Sequence, residues 1–374
     1  MNRPVQIALG SLLAFFLTAC GGGSGARGGG DGGSPTGTPV YVSNSSGASV
    51  SFYLIDPNSG LLQPATGSPV ITGGSSPDSL ATDPAKKFLL VSNLSSSNIS
   101  VFTVNNTTAA LTAVTGSPFV AGASAVRLVM HPMGKFVYAL SSTPAQILAF
   151  SFDSTTGALA PLTGFPHSLN TSGESGLALS PNGLFLFTSN PSTDLITSFS
   201  IGTDGSLTQL ATISPSKGSP SFLTFDSTGT FLFAVNEGGS LGGPSVSTFS
   251  VSGTGALTEV TGSPTSVGTA PVSAVFSQGF LYVLNQTSGT ISAFALTSSN
   301  GQLTELTGSP ITVGTRPVSI TTAVLGRFLV ATTTGSSGSG TIAVFSIGTT
   351  GTLTPVSGSP FTPDTAAPDQ VLAF

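Results

Sequence analysis

The sequence predicts an all-β fold, a seven-bladed β-propeller with four antiparallel strands per blade. Three observations carry that reading. The composition is rich in helix breakers: 374 residues hold 48 Gly and 26 Pro, and only 9 Lys plus Arg against 14 Asp plus Glu. Gly and Pro both weaken helix interiors, and no segment keeps a helical period. A unit then recurs about every 49 residues, seven times. Finally, each unit resolves into four short β-branched and aromatic runs between Gly, Pro, Asn and Ser clusters. Repeats of ~45 residues with four strands each are the pattern of propeller blades.

Taken in chain order, residues 1–19 read as a secretory signal. Arg3 precedes an apolar run from Val5 to Ala19, which is short of the ~20 residues a membrane-spanning helix needs. The run ends in Leu17-Thr18-Ala19-Cys20, similar to a bacterial lipobox. Lipidation of Cys20, the only Cys, is therefore expected, with the protein anchored in the cell envelope and facing the periplasm or exterior. Residues 20–38 are the lipidated Cys and a Gly-rich tether without core-forming residues, expected to be flexible. Residues 39–374 are the propeller.

Three markers set its period. Gly-Ser-Pro starts at Gly67, Gly116, Gly262, Gly308 and Gly358, with Gly164-Phe165-Pro166 as a variant and one copy hidden near Thr212. A Phe recurs in one apolar context at Phe52, Phe102, Phe150, Phe199, Phe249, Phe294 and Phe345, and is read as inter-blade core. Gly-x-Leu recurs at Gly60, Gly157, Gly205, Gly255, Gly301 and Gly351, with Ala109-Ala110-Leu111 in the second copy. In that copy the strands are SLATD (79–83), FLLVSN (88–93), ISVFTV (99–104) and LTAVT (111–115). The second strands are nearly continuous apolar runs, as sheets buried on both faces require. The first copy begins at its second strand, VYVSN (40–44), and the chain ends in APDQVLAF (367–374), which matches the inner-strand segment SPDSLATD (76–83). The C-terminal strand is therefore expected to join the first blade and close the ring, leaving no open edge.

Charge and composition exclude several functions. A net charge of −5 with scattered cations cannot neutralise a run of phosphates, so no nucleic acid is expected as partner. One Cys excludes a disulfide framework. No His pair or Asp-rich loop has ligand spacing, so no metal is expected, and no phosphate loop opens a helix, so no cofactor is expected. The chain is expected to be a monomer.

In such blades the inner strand runs down from the top face, which also carries the loops between second and third strands. Arg127, His167, Glu174, Glu237 and Arg316 map to that face and form a candidate site with both signs of charge. Glu237 follows Asn236 in the longest such loop, NEGGSLGGPS (236–245). His131, in His131-Pro132-Met133-Gly134, falls in a bottom-face turn and reads as structural. Asp56, Asp83, Asp153 and Asp226 end strands and read as turn-forming.

The repeat as a whole resembles the seven-bladed propeller lactonase family, which includes 6-phosphogluconolactonase-like proteins and YVTN-repeat propellers. Ser180-Pro181-Asn182-Gly183-Leu184-Phe185 with the following Leu186-Phe187-Thr188-Ser189-Asn190 carries the likeness. So does Arg127 to Tyr138, similar to the family's Gly-Pro-Arg-His-x-x-Phe-His-Pro-x-Gly-Lys-Phe segment, with Leu128 in place of its first His. Asn236-Glu237 matches an Asn-Glu pair that ends a second strand in the family, while Ser221 and Phe222 stand where Arg-His would. The resemblance implies Glu237 as general base and Arg127, or Arg316, as the electrophilic partner in lactone opening. Asn236, Glu174, His167 and Arg316 are the expected ligand-binding residues. Two functions are open at this point: a tethered propeller that binds a small molecule, protein or glycan through its top face, or a lactone hydrolase.

Overall fold

A computed structural model describes residues 37–374 apart from 170, 240, 337, 339 and 365–367. The expected signal segment, Cys20 and nearly all of the tether lie outside the described residues. Among those residues there is no helix, and seven antiparallel sheets form the blades. In the second blade the strands are Pro77–Thr82, Phe88–Asn93, Asn98–Val104 and Leu111–Ala113, within two residues of the expected bounds. The C-terminal strand Pro368–Ala373 pairs antiparallel with Thr38–Asn44, aligning Val40 with Ala373 and Val42 with Val371. It is the inner strand of the first blade, so the ring closes between chain start and chain end.

Alternation along the second strands glues blade to blade. Phe88 and Leu90 pack toward Val137, Ala139 and Phe150 of the third blade. Leu89 and Val91 point the other way, toward Tyr41 and Phe52 of the first. A period of two thus serves two neighbours, which is why these strands open on nearly continuous apolar runs. All seven repeat-marker Phe residues are buried.

The other two markers also have physical causes. Gly-Ser-Pro interrupts the outermost strand, leaving a third-strand N–H without a strand partner. The Ser supplies the acceptor: Ser68, Ser117, Ser263, Ser309 and Ser359 Oγ accept from the N–H of Phe52, Val101, Thr248, Ala293 and Val344 at 2.8, 2.9, 2.9, 3.0 and 2.9 Å. The fourth blade lacks the triplet, and its outer strand, Leu207–Ile213, is longer than any other. Gly-x-Leu is a clearance. Gly301 has φ +77°, and a Cβ there would lie 2.5 Å from Phe231 at the start of the preceding blade's second strand. Gly157, Gly205, Gly255 and Gly351 meet Phe88, Phe136, Phe185 and Phe280 in the same way. The one copy with Ala109 faces the first blade, where Pro39 occupies the Phe position and Tyr41 donates its hydroxyl to the Ala109 carbonyl at 3.0 Å.

Candidate functional site

The channel mouth is built by irregularities in the inner strands. Register shifts occur between Pro77 and Leu80, Ala125 and Arg127, Pro220 and Phe222, Pro271 and Ser273, and Pro317 and Ser319. A matching shift lies between Val42 and Asn44, opposite the last strand. Such bulges re-aim side chains. Here they lie at the top of the inner strands, where a cavity of about 190 Å³ opens, lined by Asp78, Arg127, Phe222, Ser273, Gln286, Ser319, Asp369 and Gln370 among others.

Inner strands are also stitched sideways at this level. Leu128 N–H donates to Ser79 Oγ at 3.0 Å and Val371 N–H to Ser319 Oγ at 3.1 Å. Leu80 N–H donates to the Gln370 side-chain oxygen. These bonds join blades two to three, seven to one and one to two, on the side of the mouth that holds Asp78, Arg127 and Asp369.

Arg127 reaches the cavity with its guanidinium 5.8 Å from the Phe222 ring, within cation–π range. Its Nη1 donates to the Val126 carbonyl at 3.0 Å, while its buried Nε–H has no partner among the described residues. Asp369 accepts the Ser45 N–H at 3.1 Å. Burial pushes the Asp369 carboxyl above the usual carboxylate range, opposed by that hydrogen bond. Burial likewise raises Asp78, Arg127 lowers it and the Asp369 charge raises it further. The cavity therefore holds two electrostatically linked acids beside one cation. Such a set can move a proton and stabilise a developing oxyanion.

The family model for lactonase, 7-bladed beta-propeller, matches residues 33–128, 118–268 and 238–368. The chain belongs to the seven-bladed β-propeller lactonase family. Among solved structures, a candidate 6-phosphogluconolactonase from Bacteroides uniformis is similar with TM-score 0.77 and 18% identity, covering 91% of this chain and 100% of that one. The periplasmic gluconolactonase of Pseudomonas aeruginosa is similar with TM-score 0.71 and 18% identity, covering 90% and 98%. At these identities the likeness is one of fold. No curated protein matches the sequence.

In this lactonase-family propeller the residues singled out from sequence separate. Arg127 is in the mouth. Arg316, exposed and at φ +54°, lines an open cleft with Thr287, Ser288 and Thr315 between blades six and seven; Gln286 belongs to both that cleft and the mouth. Glu237 is exposed on the rim, its N–H donating to Ser219 O at 3.0 Å, and the cavity lining does not include it. Asn236 is fully buried and turned into its blade, donating to Ser245 and Ser247 Oγ at 3.2 and 3.0 Å. Asn44 and Asn285 make equivalent bonds, so this position holds the second strand to the third. Glu174 is buried beside blade four, where Thr171 and Asn190 donate to its Oε1 at 2.8 and 3.0 Å, leaving Oε2 buried and unpartnered in a separate cleft of about 90 Å³. His167 lies on the outer edge of blade three, its ring edge-on to Phe199 at 5.4 Å. His131, in the bottom turn, accepts Met133 N–H at Nδ1 and so donates from Nε2 to Gly183 O at 3.1 Å. Asp78 and Asp369 were missed. The available signal was the Pro-Asp that opens both inner strands, at Pro77 and Pro368, strands that are neighbours only because the C-terminal one completes the first blade.

Proposed function

We propose that the protein is an envelope-anchored lactone hydrolase whose reaction runs at the channel mouth. The observation that carries this reading is the Arg127 guanidinium in one cavity with Asp78 and Asp369. Asp78 acts as general base and takes a proton from water. The hydroxide adds to the lactone carbonyl, and the Arg127 guanidinium donates to the oxyanion. The ring C–O bond then breaks, and the leaving alkoxide takes the proton back from Asp78, releasing a hydroxy acid. Asp369, oriented by Ser45, raises the basicity of Asp78 through its charge. Phe222 forms an apolar wall below the guanidinium. Two acids against one cation disfavour a phosphorylated substrate and favour a neutral lactone. Glu237 and Arg316, on the rim, act on entry and orientation.

The test is a hydrolysis screen over aldono- and aryl lactones. Asp78→Asn should lower turnover by roughly 10²–10⁴, and Arg127→Met by roughly 10²–10³. If the wild type turns over no lactone, yet a small molecule raises its melting temperature through Asp78 and Arg127, the mouth is a binding site without chemistry. Anchoring is tested separately by membrane fractionation of wild type and Cys20→Ser; equal release of both would refute it.

A further inference from the structure

Two residues after the one that opens it, each bulged inner strand carries a residue with a structural task. In blades two, six and seven this residue is Ser79, Ser273 and Ser319. In blade five it is Phe222, in blade three Arg127 and in blade one Gln370. Where the task is performed, an oxygen at this position accepts the N–H of the following position on the next inner strand. Ser79 Oγ accepts from Leu128 at 3.0 Å and Ser319 Oγ from Val371 at 3.1 Å. Gln370 performs it for Leu80 through its side-chain oxygen. A serine is enough for this bond, so the glutamine brings a longer side chain and an extra amide nitrogen that the bond does not use.

That nitrogen is held in a fixed direction. A carboxamide oxygen accepts and its nitrogen only donates. Because Leu80 offers an N–H, Gln370 must turn Oε1 toward blade two, which settles the orientation of the amide. The backbone is held as well. The strand is bulged here, with Asp369 and Gln370 both opposite Ser43, whose Oγ accepts the Gln370 N–H at 3.0 Å. A bulge lets two successive side chains reach the mouth where a regular strand would alternate them, and both line the cavity. Gln370 Nε2 has no partner among the described residues and, unlike Arg127 Nε, is not shut away from the cavity. The other mouth amide, Gln286, makes no side-chain hydrogen bond among the described residues that would orient it. Around the ring, Arg127, Asp78 and Gln370 come from blades three, two and one, so the acid stands between the guanidinium and the amide.

We infer that Gln370 is a catalytic residue, its Nε2 being the second donor to the oxyanion. The inference rests on the lactone hydrolysis proposed above. When hydroxide adds to the carbonyl carbon, the electron pair of the C=O bond moves onto the oxygen. Arg127 and Gln370 each donate a hydrogen bond to it, and no proton leaves either group. Donors fixed in advance where charge develops stabilise the transition state more than the ground state. A neutral amide suits this place. A second cation beside Asp78 would lower its basicity further, as Arg127 already does, whereas the amide adds a donor without adding charge. The donor belongs to the last strand of the chain and its orientation to blade two, so the pair is complete only once the C-terminal strand has joined the first blade.

Two variants separate the donor from the structural bond. Gln370→Ser gives blade one the residue that blades two, six and seven carry, so an oxygen remains for Leu80 and Nε2 is lost without a change of charge. Gln370→Glu keeps the length and the acceptor and also loses the donor. Steady-state kinetics of the full-length protein on the fastest lactone of the hydrolysis screen, with thermal melting of each variant, reads the outcome. In both variants kcat should fall by roughly 10²–10³, with KM within about threefold of wild type and the melting temperature little changed. Wild-type kcat in both would overturn the second donor and leave the hydrolysis standing. A raised KM at unchanged kcat would make Gln370 a ground-state binding group and overturn it equally. Losses of kcat that follow a lowered melting temperature in both variants would reduce Gln370 to its bond with Leu80. A wild type that opens no lactone would overturn the hydrolysis, and the second donor with it.

Discussion

Gly301→Ala tests whether the blades are fitted to each other by clearance at Gly-x-Leu. Gly301 has φ +77°, and an added Cβ would sit 2.5 and 2.8 Å from Phe231 ring carbons and 3.1 Å from Val260 Cγ1. The left-handed backbone costs an alanine about 1–2 kcal/mol. The overlap with a buried ring on a neighbouring blade adds about 1–3 kcal/mol. A total of about 2–5 kcal/mol corresponds, for a domain of this size, to a melting temperature lower by roughly 3–7 °C. The wedge joins blades five and six, which carry Phe222 and Ser273 into the mouth. Thermal melting of wild type, Gly301→Ala, Phe231→Leu and the double variant measures the coupling. Shortening the ring removes the overlap, so the double variant should be more stable than the sum of the single losses. Ala109→Gly, at the copy where Pro39 replaces the Phe, is the control and should change stability by less than about 1 kcal/mol. Strict additivity, or a Gly301→Ala protein that melts with the wild type, would refute the clearance argument.

Removing residues 368–374 takes away the strand paired with Thr38–Asn44 and the buried Val371 and Phe374; at about 1.5–3 kcal/mol per buried apolar side chain, an unchanged melting temperature would be incompatible with ring closure. Asp369→Asn mimics the protonated acid that burial favours. Because the folded state raises this pKa, wild-type stability from the group is full below the ordinary carboxylate range and falls as pH rises through the folded value. The variant should therefore match wild type in acid and exceed it near neutrality, a gap that melting curves between about pH 3 and about pH 8 resolve; a variant less stable at every pH would contradict it. Glu237→Gln should change lactone turnover by less than about tenfold, against the roughly 10²–10⁴ expected for Asp78→Asn; equal losses would move the base to the rim.

The repeat was legible because its markers answer to local physics. Gly-Ser-Pro recurs because a broken outer strand leaves a third-strand N–H that a Ser hydroxyl satisfies, and Gly-x-Leu recurs because each copy must clear one Phe. The nearly continuous apolar run in FLLVSN (88–93) announces two buried faces within six residues. The match of 367–374 to 76–83 likewise announced the closing strand, since an inner strand's pattern is local too. The site was harder. Arg127 stood out as one of few cations, yet His167, Glu174 and Asn236 share its top-face location by chain position without sharing its cavity. His167 is on the perimeter, Glu174 in a side cleft and Asn236 inside its blade.

What the sequence alone determined is the architecture: the number of blades, their strands, the closing strand and the inter-blade core. Strand period and turn chemistry act within a few residues and are repeated seven times over. Which polar groups meet in the mouth was decided only by the tertiary structure. Asp78 and Asp369 come from opposite ends of the chain and become neighbours when the ring closes. Small register shifts at the head of the inner strands decide which side chains enter the cavity, and a one-residue change of register reverses the face a side chain takes.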